Sequence, residues 1–483
     1  HLRAADEGEN SSLTRLTETV LQKAFDIGFE DADNYLEELK NCLASCYQKS
    51  DTFYNYLTVI QSSGYGKTRT SDNMLKAIMS GTSIDHCHKI AKTWIESIIT
   101  TYEKMNPQNP RDLLKDQEAF WDAVVSNISM SIPATFTRAK KQITIFVDEA
   151  SALLERNTAF RAFRRALRDY NDSVFAILTD TCSAVADLAP WLERDPSARH
   201  YGYRVYKPFI YVATTDCLMD HPDVPLEDGS GHHIVGYGRP LWASSWIGYD
   251  KKQNPSAMFS NILNLAKTKL LGGGAHTWAD LKKNSTDMIQ TSALAIIAST
   301  ADLYVSPISS AAPDMVRSHT ATLISIDDER KLHLVAYPSE PMLSEAAMEL
   351  LSEDDAEFDI LTELDSATRH GDVILCSSTS LEYLSVLIKN FPREKFSQLK
   401  GFRIGFTHFF TLFHEPDEET IQEMYNRNAA AAFKMGAEGG DLIVPMILET
   451  NTPLDQERKK ETWCGEREPY CCRCSDRVYM ELT

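Results

Sequence analysis

Long hydrophobic runs are absent from this 483-residue chain. The longest, such as Ile143–Val147, fall far short of the roughly 20 apolar residues that a membrane-spanning helix needs, so no membrane partner is expected. Positive charge is scarce. Lys+Arg number 49 and Asp+Glu 69, and 49 − 69 gives a formal charge of −20. A chain this acidic is a poor general polyanion binder, and contact with nucleic acid would require a local basic patch. Cysteine is thin: six of ten are scattered, at Cys42, Cys46, Cys87, Cys182, Cys217 and Cys376. That density excludes a disulfide-stapled secreted domain and points to a reduced cytoplasmic or nuclear compartment. No apolar leader opens the chain. The first residue is His1 rather than Met, so an N-terminal piece is expected to have been removed. Internal repeats are missing too. What remains is ordinary globular composition, 43% hydrophobic and 24% charged, at a length that suggests two to four domains of roughly 100–200 residues.

Periodicity organises the chain. Leu13, Leu16, Val20, Ala24 and Phe25, then Tyr35, Leu36, Leu39 and Leu43, recur at helical spacing. Three short β-branched or aromatic runs, Leu57–Ile60, Ile143–Val147 and Val174–Leu178, read as buried strands, with Phe209–Ala213 as a further one. Strands separated by helices predict an α/β fold with a parallel sheet. A helical middle follows, with Phe259, Ile262, Leu263, Ala266 and Leu270 on one face and a stop at Gly272–Gly274. Leu332–Tyr337 alternates like a strand, and Pro341 opens a helix in its first turn. Residues 351–372 are acidic and read as a surface linker. The expected organisation is a helical segment (1–50), an α/β core (51–250), a helical or lid region (251–350), a smaller α+β domain (351–450) and a Cys-rich tail (451–483).

The chemistry concentrates in Val59–Thr68, a strand, a loop of small residues, and then Gly66-Lys67-Thr68 at a helix start. Small residues let the backbone curl so that several N–H groups face one anion, and a helix N-terminus adds partial positive charge. This is the phosphate-loop (Walker A) pattern, G-x-x-x-x-G-K-[ST], with Gln61 where the first Gly stands. Ser62, Ser63, Gly64, Tyr65, Gly66, Lys67, Thr68 and Arg69 are the expected nucleotide-binding residues. Lys67 would reach the β/γ phosphates and the Thr68 hydroxyl would ligate Mg²⁺. Ile143–Glu149 is an apolar strand ending in two carboxylates, the Walker B pattern. Asp148 would join the Mg²⁺ shell and Glu149 would polarise the attacking water. The next strand ends in Thr179, Asp180 and Thr181; in NTPases with an extra strand between the two Walker strands, a polar residue at that strand's tip senses the γ-phosphate, and Thr181 is the residue expected to do so here. Charge on the transferred phosphate calls for an arginine. Arg239, among glycines and aromatics, is the first candidate, with Arg164, Arg165 and Arg168 as alternatives.

Taken in order, Ser63–Arg69, Phe146–Ala150, Phe160–Leu167, Asp180–Ser183, Gly238–Trp242, Ser318-His319 and Tyr337–Leu343 resemble a group of P-loop NTPases from mushroom-type fungi. Those proteins are related to Crinkler-type effectors and mobile-element proteins. The resemblance spans about residues 50–450. It implies an ATP- and Mg²⁺-dependent switch joined to a restriction-endonuclease-like domain, and it admits an effector secreted and then delivered into a host. Asp441 matches the first nuclease position, whereas Glu449-Thr-Asn451 carries Asn where a Lys belongs, so this domain is expected to be degenerate.

Other clusters carry less. Cys464, Cys471, Cys472 and Cys474 are too compressed for paired zinc ligands. His232-His233 and Asp85–His88 also suggest metal, but the ligands of Asp85–His88 are too close together for one rigid helix face. Three functions stay open on sequence alone: an NTP hydrolase coupled to a change of shape or assembly, a nucleotide-binding interaction protein that does not hydrolyse, and a DNA-cleaving nuclease.

Overall fold

The computed structural model describes residues 35–48, 55–67, 143–148, 150–154, 160, 163–164, 167, 174–181, 206–226, 230–249, 254–301, 303–327, 332–354, 356–374, 402–404, 406–412, 417–433, 442–448 and 470–473. In chain order its main elements are α1 (Tyr35–Gln48), β1 (Tyr56–Ile60), β2 (Ile143–Val147), β3 (Val174–Asp180), α2 (Pro240–Gly248), α3 (Pro255–Leu270), α4 (Trp278–Asn284), α5 (Ile289–Ala301), β4 (Tyr304–Val305), α6 (Ala311–Ser318), β5 (Thr322–Ile326), β6 (His333–Ala336), α7 (Pro341–Leu351), α8 (Ala356–His370), β7 (Val373–Ile374), β8 (Phe402–Ile404), β9 (His408–Leu412), α9 (Glu418–Asn426), β10 (Ala429–Phe433), β11 (Leu442–Leu448) and β12 (Tyr470–Arg473). The chain divides into two compact units. The first is Phe29–Thr214 with Leu323–His333; the second is His1–Gly28, Thr215–Thr322 and Leu334–Thr483.

In the first unit, β1, β3 and β2 form a parallel sheet in that spatial order. All five residues of β1 are buried, and each large apolar side chain so buried contributes about 1.5–3 kcal/mol. This largely apolar run, broken only by Thr58, is what a strand covered on both faces requires. Phe209 extends the sheet on the side of β1 away from β3: its N–H donates to Thr58 O at 2.8 Å, and Ile60 N–H donates to Phe209 O at 2.9 Å. Only this bridge forms where the sequence suggested a full strand over 209–213. Leu39 and Leu43 of α1 enter the same core as Leu57, Val59, Phe175, Ile177, Tyr206 and Val212. Phe160, Phe163, Arg164 and Leu167 are helical and buried, Phe160 meeting Tyr56 edge-on at 6.0 Å.

The second unit is built around α5, apolar on every face and buried from Ser292 to Ala301, as a helix enclosed by neighbours must be. It packs against α7 and α8. The glycine stop after α3 holds: Gly272 and Gly273 adopt φ of 78° and 93°. Residues 351–372, read from composition as a linker, instead contain α8. Ile360, Leu364 and Ala367 repeat at helical spacing and are buried, while the acidic residues cover the outer face. β4 pairs antiparallel with β6 and β7. Farther along, β9, α9 and β10 form a βαβ turn whose strands pair in parallel; β11 runs antiparallel to β10, β12 and β8. This α+β region belongs to the same compact unit as the helical middle.

Candidate functional site

Parallel strands deliver their carboxyl ends to one edge, and in open α/β sheets that edge is where ligands bind. The register fixes what meets there: Ile60 lies opposite Asp180, and Val147 opposite Leu178. The residue after β2, Asp148, therefore reaches the tip of β3, and the Thr179 hydroxyl donates to Asp148 Oδ1 and lies 3.5 Å from Val147 O. Asp148 is exposed whereas Thr179 and Asp180 are buried. The Asp180 carboxylate accepts from Ser151 N–H, from Thr181 N–H at 2.6 Å and from the Thr181 hydroxyl at 3.4 Å. It thus ties the tip of β3 to the turn after β2. The Thr181 side chain turns to Asp180; the hydroxyl that meets Asp148 is that of Thr179.

The loop after β1 follows the sequence expectation in its backbone. Gly64 and Gly66 take φ of 91° and 76°, a region costly for any residue with a Cβ. An added Cβ at Gly66 would meet nothing within 4 Å, so glycine is required there by conformation and not by crowding. Lys67 opens helical backbone, and its Nζ donates to Ser62 O at 3.0 Å. Tyr65, grouped with the nucleotide-binding residues by sequence, sends its ring into the core, 2% exposed. Its carbonyl accepts from the Thr214 hydroxyl at 2.9 Å. The ring anchors the loop and leaves the Tyr65 main chain as the part that can face a ligand. Thr68, Arg69 and Glu149 lie outside the described residues.

Gln61, at the position of the missing first glycine, is almost wholly buried. Its backbone is not in the left-handed region, so a side chain is tolerated. Nε2 donates to Ile210 O at 3.2 Å and to Leu323 O at 3.1 Å; Oε1 accepts from Ser62 N–H at 3.0 Å and Leu323 N–H at 2.8 Å.

Arg239, the first candidate arginine, is paired with a carboxylate. In the second unit its guanidinium is fully buried in a forked pair with Glu340, Nε to Oε2 at 2.8 Å and Nη2 to Oε1 at 2.6 Å, with Nη2 also donating to Thr320 O at 2.7 Å. Trp242 Nε1–H donates to the same carboxylate at 3.2 Å. Gly238 (φ 87°) allows the close approach, since a Cβ there would fall 2.7 Å from Glu340 Cγ. A buried guanidinium left without its carboxylate would be strongly unfavourable, so the pair with Glu340 is costly to break. Arg164 is also buried, stacked over Phe160 at 5.6 Å. Arg165 and Arg168 lie outside the described residues.

Sequence reading overlooked a second polar group in the same unit. Arg427 is held by Asp216, by Glu423 Oε1 at 2.9 Å and by Ser339 O at 2.9 Å, and covers the Tyr237 ring at 4.9 Å. Burial works to lower its pKa, but Asp216 and Glu423 outweigh burial and raise it. His408 accepts or donates to Ser339 Oγ through Nε2 at 2.6 Å and to Thr407 Oγ1 through Nδ1 at 3.1 Å. Complete burial, with Arg427 adding to it, pushes His408 down to about 3. The group is a neutral imidazole and a paired guanidinium fixing β9 and α9. His232 stacks between Trp246 and Phe259 at 5.7 and 5.0 Å, and His233 Nε2 meets Asn426 O at 2.9 Å. Both histidines serve packing.

Nucleotide and Mg²⁺ are tested by the donors present. Among the described residues no cluster of three His, Cys, Asp or Glu could hold a metal by itself. One exposed carboxylate beside a hydroxyl suits Mg²⁺, which is usually held by one or two carboxylates together with water and phosphate oxygens. Among the described residues no helix is long and apolar enough to cross a membrane.

A family model described as Domain of unknown function (DUF8736) matches residues 282–377, from the end of α4 through β7. No curated protein matches the chain. Among solved structures it is similar to the crystal structure of Cdc6p from Pyrobaculum aerophilum, at 13% identity and a TM-score of 0.26, with 77% of this chain and 98% of that one covered. With likeness that loose, the chemistry is read from the site's own geometry.

Proposed function

We propose that the chain binds a nucleoside triphosphate with Mg²⁺ at the carboxyl edge of β1, β2 and β3 and hydrolyses it, as a P-loop protein with an additional strand between its Walker strands. The observation that carries this reading is the place of β3. It sits between β1 and β2, so the lysine loop, Asp148 and Thr179 all project from one sheet edge. The main chain of Ser62 to Gly66 would cradle the phosphates, and Lys67 would move from Ser62 O toward the β/γ phosphates. Thr68 and Asp148 would hold the metal, whose chemistry is to draw charge off the phosphate oxygens. Glu149 would orient the attacking water, and Thr179 would hold the Asp148 carboxylate in place. Arg239 has no part in this. The resemblance to Crinkler-type proteins further suggests that hydrolysis drives a change of shape or assembly; the nuclease-like positions Asp441, Glu449 and Asn451 lie outside the described residues.

The test compares the native chain with Glu149→Gln, measuring binding and turnover of ATP and GTP with Mg²⁺. Turnover in the native chain, lost in the variant by about 100-fold or more with binding retained, is the expected result for a missing general base. Binding without turnover in either protein would favour a nucleotide-binding interaction protein instead.

A further inference from the structure

We infer that Gln61 is a positioning residue that couples the phosphate loop to β5, so that occupation of the loop is felt at Leu323. This rests on the nucleotide reading above. A primary amide offers two N–H donors and two acceptor positions, and Gln61 uses all four on main-chain groups: Ile210 O, Leu323 O, Leu323 N–H and Ser62 N–H. The reciprocal pair with Leu323 has the form of a strand-to-strand ladder contact, made here by a side chain across 262 positions of sequence.

The other end of the linkage is the loop itself. Gln61 Oε1 holds the N–H of Ser62, while the carbonyl of the same Ser62 holds the Lys67 ammonium. Two adjacent peptide groups thus join the lysine that would meet phosphate to the amide that grips β5. When Lys67 moves toward phosphate, the Ser62 carbonyl changes partner, and the neighbouring N–H and the amide holding it must accommodate the change. A glycine at position 61, as in the usual loop, would leave Leu323 without this connection. Leu323 is itself buried, 2% exposed. The chain on both sides of 323–333 belongs to the second unit.

The test is hydrogen exchange on the full chain, reading peptides over 61–67 and 322–327 with and without Mg²⁺-ATP or Mg²⁺-GTP. In the native protein, nucleotide should slow both segments together. In Gln61→Leu without nucleotide, 322–327 should exchange about tenfold faster, the factor expected from losing one or two net hydrogen bonds. It should also cease to respond when nucleotide binds. Slowing at 61–67 with 322–327 unchanged in the native protein would overturn the coupling and leave nucleotide binding standing. No binding of either nucleotide would overturn both. If Gln61→Leu does not fold, Gln61→Glu, which keeps the acceptors and loses both donors, takes its place in the same comparison.

Discussion

Arg239 and Glu340 in the second unit neutralise each other out of water, with every nearby donor turned inward. At the sheet edge of the first unit, Asp148 is exposed and accepts from the Thr179 hydroxyl of the neighbouring strand, and Lys67 is partly exposed and donates to Ser62 O of its own loop. The residue types are alike and their settings opposite. Enclosure makes the first pair a support whose members have nowhere else to go. Exposure leaves the second set able to exchange internal partners for a ligand. A charged residue is therefore a better candidate for binding when its present partner can be given up at low cost.

The sharpest way to break this contrast is to remove one half of the enclosed pair. Glu340→Ala should lower the stability of the unit containing it by about 3–5 kcal/mol, because Arg239 is left buried and unpaired. Urea unfolding followed by circular dichroism reads this. A loss under about 1 kcal/mol would mean that the pair behaves as an exposed one does.

A smaller effect comes from acid. His408 is neutral in the fold down to about pH 3, whereas in an unfolded chain it takes up a proton near pH 6.5. Below pH 6.5 the unfolded state binds more protons, so stability falls as pH drops and is complete above that value. Burial lowers the pKa of His319 and His333 as well, so their contributions have the same sign. Between pH 6.5 and 5 the loss from His408 should be about 2 kcal/mol. Unfolding midpoints across this range check it, and His408→Gln should flatten the slope. At the low end, Ile308→Ser, at a side chain 78% exposed, should change stability by no more than about 0.5 kcal/mol. A larger loss would show that this surface is covered.

What was legible in the sequence follows the same division. The three strands, the loop glycines and the proline-opened α7 are local patterns, each decided by residues within a few positions of one another. The partners of Gln61, Arg239 and His408 were not legible, because Leu323, Glu340 and Ser339 lie 262, 101 and 69 positions away. α8 was missed for another reason: its acidic outer face dominated the composition, while the Ile360–Leu364–Ala367 stripe carried the structure. Thr179 lies beside Asp148 because Val147 stands opposite Leu178, so the next residue of each strand meets the other.

The account depends most on the sheet edge of the first unit being a phosphate site. Titration calorimetry of the native chain and Lys67→Ala with Mg²⁺-ATP and Mg²⁺-GTP tests this directly. Binding by the native chain, weakened about 10- to 100-fold in the variant through loss of one charged hydrogen bond, is the result predicted. Equal affinity in the two proteins, or none in either, would contradict it.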